Sequence, residues 1–150
     1  MLKDLISNVK SVYHWGGVKT ATVTPSTGVD LKGYRSALVL CSIGAITNVA
    51  NSPQPSWTFA LQESDTSNAS FTNVATADVI LSNGRNDGSI TSGVFATVDA
   101  AAEDANTSTI GYIGTKRYIR VVATAANTPG NTAIAVNIVL GAMQAPVADA

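Results

Sequence analysis

Hydrophobic and polar positions fall into two textures along this chain. Over residues 2–13, Leu2, Leu5, Ile6, Val9, Val12 and Tyr13 recur at the i, i+3, i+4, i+7 spacing of one helical face. Asp4 near the start and Lys10 near the end suit the dipole of such a helix, and Gly16-Gly17 ends it. A helix of about 12 residues is marginal alone in water, so its apolar face needs something to dock on. The segment is expected as a short amphipathic helix or as an arm that orders on a partner.

After Gly17 the period changes to two. Val18 to Val23 alternates, and Pro25-Ser26-Thr27-Gly28 reads as a turn. A strong strand is expected over 36–43. Trp57-Thr58-Phe59-Ala60-Leu61-Gln62 alternates cleanly, with Trp57, Phe59 and Leu61 on one side. Asn83-Gly84 and Asp87-Gly88 are turn dipeptides. Further strands are expected over 90–98, 109–113, 117–124 and 132–140. About seven to nine short strands, with turn signals every ~8–15 residues, predict an all-β fold: a single β-sandwich or jelly-roll-like domain. The organisation expected is an N-terminal arm or helix over 1–17, the β domain over 18–142 and a tail over 143–150.

Composition agrees. Thr, Val and Ile supply 43 of the 150 residues, against 2 Glu and 5 Lys. That is the stock of strands rather than of helix surfaces. Charged residues are only 13%, and the net charge is −1. A general nucleic-acid binder would carry a basic footprint that nine scattered Lys and Arg do not make. No stretch approaches the ~20 apolar residues of a membrane-spanning helix, and no apolar run follows the first residues as in a secretory signal. The expectation is a protein made in a cytoplasm, with neither nucleic acid nor membrane as partner.

Little in the chain invites chemistry. The sole histidine, His14, would have to be the base of any nucleophilic triad. It lies in the apolar N-terminal segment between Tyr13 and Trp15. The sole cysteine, Cys41, sits in the run Ala37-Leu38-Val39-Leu40-Cys41 and reads as a buried thiol. One His and one Cys do not make a zinc site. Asp99, Glu103 and Asp104 could approach a calcium ion, but read better as a solvated acidic loop. Phosphate-binding glycine motifs are lacking. No enzyme, metal or cofactor is expected. The cluster Lys116-Arg117-x-x-Arg120 suits an ion pair with a loop carboxylate or a subunit contact, and the Trp57-x-Phe59 stripe suits a core.

Five segments, in order across almost the whole chain, resemble a family of small virion proteins from tailed bacteriophages and prophages. They are Leu2-Lys3-Asp4-Leu5, Gly28-Val29-Asp30-Leu31-Lys32-Gly33-Tyr34-x-Ser36-Ala37, Trp57-Thr58-Phe59-x-Leu61-Gln62-Glu63-Ser64-Asp65, Gly111-Tyr112-Ile113-Gly114-x-Lys116-Arg117-Tyr118-Ile119-Arg120-Val121-Val122 and Val139-Leu140-Gly141. The resemblance implies a capsid decoration (cement) protein: a homotrimer on the major capsid protein of the phage head, located in the virion. It brings no catalytic residues. The candidate assembly interface is then Leu2, Leu5, Ile6, Val9, Tyr13, His14 and Trp15 of the arm, with Arg117 and Arg120. A tail, baseplate or head-tail joining component is the alternative, and a carbohydrate-binding module with Trp15 or Tyr34 as stacking platform is a further one.

Overall fold

The computed structural model describes residues 9–47, 52–81 and 90–143. The described residues form ten strands: β1 (Lys10–Lys19), β2 (Val29–Asp30), β3 (Tyr34–Ile43), β4 (Ser56–Ser64), β5 (Thr72–Asn73), β6 (Val79–Leu81), β7 (Val94–Val98), β8 (Asn106–Tyr112), β9 (Tyr118–Ala126) and β10 (Thr132–Met143). A single 3-10 turn, Thr76–Asp78, is the helical element among the described residues.

The strands make two antiparallel sheets. The first runs β1-β10-β3-β8-β6 and the second β2-β9-β4, where both β5 and β7 pair with the free side of β4. The pairing is nested: β1 with β10, β2 with β9, β3 with β8, β4 with β7. Such nesting is one long hairpin rolled up so that successive strands fall in alternate sheets, which is a jelly roll. β5 and β6 are extra strands from the hairpin tip. The all-β sandwich read from the sequence is the fold observed. The Asn-Gly and Asp-Gly dipeptides near residue 85 lie outside the described residues.

The core is the space between the sheets. Trp57, Phe59 and Leu61 of β4 and Ile119, Val121 and Ala123 of β9 face Val39, Cys41, Ile110, Val136 and Ile138 of the first sheet, all essentially without solvent exposure. Each strand's alternation is therefore a statement about which side meets the other sheet. Trp57 donates its indole N–H to the buried Thr132 hydroxyl at 3.0 Å, a polar tie between the sheets inside an otherwise apolar core.

The N-terminal segment departs from expectation. Lys10–Tyr13 are strand, not helix, and β1 runs through Gly16-Gly17, where the arm was expected to end. A β-bulge at His14 shifts the register between Tyr13 and Trp15. The bulge puts Val12 and Trp15 on the same, inward face although they are three residues apart. A bulged strand thus mimics the i, i+3 spacing of a helix. What decides the outcome is β10, whose edge peptide groups β1 satisfies over almost its whole length. Residues 2–8 lie outside the described residues.

Candidate functional site

His14 and Trp15, expected at an assembly interface, turn inward. β9 meets β2 at Tyr118 and Ile119, and it meets Val23 at Ala123. Between these contacts no strand among the described residues faces Val121 on that side. Trp15 fills the gap by donating its indole N–H to the Val121 carbonyl at 3.0 Å, and the Val121 N–H donates to His14 Nε2 at 3.2 Å. Two side chains from one bulge thus replace a strand neighbour. The bond fixes His14 as the neutral imidazole with its proton on Nδ1. Burial, with the Arg120 cation adding to it, pushes the His14 pKa down to about 4. The nitrogen that a triad would use as base is committed to a peptide N–H. The Cys41 thiol, buried in the core, is pushed up to about 12. Trp15 is only 8% exposed and is no platform for a sugar ring, and Tyr34 packs partly buried against the core.

Arg117 and Arg120 spend their donors on their own chain. Arg117 forms a two-pronged pair with the Asp30 carboxylate at 2.8 and 3.0 Å, which holds that carboxyl below its usual range. Arg120 donates to Gln62 Oε1 and to the Pro25 carbonyl, and its guanidinium lies 4.0 Å from the centre of the Phe71 ring. Beside them Tyr112 donates to Glu63 at 2.6 Å, and Lys116 pairs with Asp65. Burial and the Glu63 carboxylate push the Tyr112 phenol up. These four contacts, Asp30–Arg117, Gln62–Arg120, Glu63–Tyr112 and Asp65–Lys116, each join two of the segments that carry the family resemblance. The resembling residues therefore latch β2, β4, β8 and β9 together by their own contacts. The expected acidic loop is used in the same local way: Glu103 accepts from the Asp99 N–H and Asp104 from the Ile46 N–H.

What remains open to a partner is a face that the sequence reading missed. Tyr13, Val18, Leu38, Ile80 and Ile113 are the large hydrophobic residues most exposed among those described, at 42–66%. All five fall on the outer face of the first sheet or at its margin, by strand register. One cross-strand row, Ser11-Val139-Leu38-Gly111-Ile80, crosses all five strands. None of the outward positions of this sheet is charged. Gly111 and Gly141 hollow the face into a groove of about 490 Å³ with almost wholly apolar walls, rimmed by Val9, Leu38, Ile80, Ile113 and Val139. A second shallow depression lies on the same face around Val18, Ala133 and Ala135. Alternation reveals that a strand has two faces, but which face meets solvent emerges only once β1, β10, β3 and β8 lie side by side.

Of the expected interface residues, Val9 and Tyr13 lie on this face, His14 and Trp15 seal the edge of β9, Arg117 and Arg120 lie in the latch, and Leu2, Leu5 and Ile6 fall outside the described residues. A cleft between the β2–β3 and β8–β9 turns carries Lys32, Arg35, Lys116 and Arg117, the last two already paired with carboxylates. Among the described residues no three His, Cys, Asp or Glu side chains converge as a metal site.

No protein-family model matches the chain, and comparison with curated proteins finds no match. Among solved structures the chain is similar to the crystal structure of SPBc2 prophage-derived protein YomS, with 13% identity, a TM-score of 0.46, and coverage of 89% of this chain and 94% of that one.

Proposed function

We propose that this chain is a structural protein of a tailed-phage particle, a decoration protein that works in many copies on the major capsid protein of the head. The observation that carries the assembly part is the outer face of the first sheet: five strands wide, uncharged, and bearing the exposed large hydrophobics. Contiguous apolar patches beyond a few hundred Å² are rare on proteins that work alone and mark interaction sites. The phage part rests on the ordered family resemblance along the sequence. Its residues hold the fold together at one end of the sandwich, which suits a family that shares a scaffold and varies its contacts. A jelly roll hosts many functions, so the fold is compatible with the reading and does not carry it.

In this role the protein adds a rigid protein layer. The double sheet resists shear through its backbone ladders, and the open face supplies contacts to neighbours. The test is the copy number in purified virions, measured by quantitative mass spectrometry against the major capsid protein. A ratio near one per capsid subunit is expected. A low count in small multiples of three or six would move the protein to the tail or connector, and absence from the particle would overturn the reading.

A further inference from the structure

We infer that the outer face of the β1-β10-β3-β8-β6 sheet is covered by a second copy of this chain, making it the self-association surface of the protein. The inference deepens the assembly reading and rests on it for the chain acting in many copies.

Three observations single out this occupant. The first is size. Strands of 10, 12, 10, 7 and 3 residues, at ~3.3 Å per residue and ~4.8 Å between strands, give a face on the order of 650 Å². That approaches the ~800 Å² per partner of a standard stable interface. The second is charge. With no ionised group at its outward strand positions among the described residues, the middle of the face brings no like charges together when it meets itself; exposed Lys10 and Arg35 stand at its margin. The second sheet lacks this property, because Arg120 and the Asp30–Arg117 pair stand on its outer side. An uncharged face also offers a foreign protein no electrostatic means of selection. The third is relief. The groove floored by Gly111 and Gly141 is bordered by half-exposed Leu38, Ile80 and Ile113, so hollow and ridge occur on one surface.

The test is sedimentation velocity of the full chain over a concentration series, with tryptophan fluorescence as the check on folding. The wild type is expected to associate at micromolar concentration. Leu38→Lys is expected to weaken association by about 30-fold or more, the effect of losing one interface hot spot. Ile80→Lys, on the short edge strand β6, repeats the test should the first variant fold poorly. Thr124→Lys, on the outer side of the second sheet, is expected to leave association unchanged. A wild type that stays monomeric overturns the inference. So does association insensitive to both lysines on the first sheet, or equally sensitive to Thr124→Lys. If deleting residues 2–8 strengthens association, the chain's own N-terminal segment covers the face, which also overturns it. Mass in solution and copy number in virions fail independently, so this inference and the proposed function are separable.

Discussion

Val121 has a peptide group that no strand pairs on the β2 side, and the His14–Trp15 bulge supplies both its partners. Removing the indole N–H alone leaves a buried carbonyl without a donor, which costs about 1–3 kcal/mol. Trp15→Phe, which also removes part of the buried ring, is therefore expected to lower stability in urea unfolding by at least that amount with the fold retained. His14 adds a pH dependence of definite sign. Its folded pKa of about 4 lies below the reference 6.5, so the unfolded chain binds the proton first. The contribution of neutral His14 is complete above pH 6.5 and fades as the pH falls towards 4. At pH 4.5 the loss is about 2–3 kcal/mol relative to pH 7. Protonated Nε2 would also point a proton at the Val121 N–H. Urea unfolding at the two pH values should show this slope, and His14→Gln, whose amide oxygen can still accept, should flatten it. An equal slope in both proteins would place the acid sensitivity in the carboxylates instead.

At the scale of the element, β4 is the organising strand, and its free side is shared by β5 and β7. Leu61 stands where the two meet. Its N–H donates to the Gly93 carbonyl at 2.9 Å, and its carbonyl accepts from the Val74 N–H at 3.1 Å. Gly93 has φ +75°, and a Cβ there would lie 2.6 Å from the Leu61 carbonyl oxygen. Gly93→Ala is expected to cost at least 1–3 kcal/mol through backbone strain and a contact with backbone that cannot step aside. A drop in Tm measured by circular dichroism checks it, and an unchanged Tm would refute the junction's rigidity. Elements like β4 were legible: Trp57, Phe59 and Leu61 announce both strand and buried side, and the strand expected over 90–98 is found from Val94 to Val98. β1 was not legible, because Val9, Val12 and Tyr13 carry helical spacing, whereas in the strand Val12 faces the core and Val9 and Tyr13 face outward. The outer face was equally hidden. Leu38 and Leu40 alternate with Val39 and Cys41, so both sides of β3 are apolar, and the sequence alone does not say which side the second sheet covers. For Arg117 and Arg120 the sequence suggests an ion pair with a loop carboxylate or a subunit contact. Their true partners, Asp30 and Gln62, lie 87 and 58 residues away in sequence and are reached only through the roll.

The whole molecule is closed by its first described strand against its last. Lys10 faces Leu140 and Lys19 faces Thr132, so the pairing that completes the first sheet joins the first and last described strands. Nested pairings of this kind are almost entirely non-local, and such topologies fold slowly because loop closure precedes its reward. They also make the N-terminal strand part of the structure rather than an appendage. Deleting residues 2–15 would strip the partner from β10 between Val136 and Leu140 and remove both side chains that satisfy Val121. The loss of a buried tryptophan costs about 3–5 kcal/mol and the orphaned peptide group about 1–3 kcal/mol. Together these approach the whole stability of an ordinary domain, about 5–15 kcal/mol. The uncovered β10 edge would in addition invite strand pairing between molecules. The deletion product is therefore expected to aggregate or to unfold without a cooperative transition, which calorimetry and light scattering would read directly. A soluble product with the wild-type Tm would show instead that β10 tolerates an open edge and that β1 is a detachable arm. Assembly contacts would then be sought along β10 itself rather than across the face of the sheet.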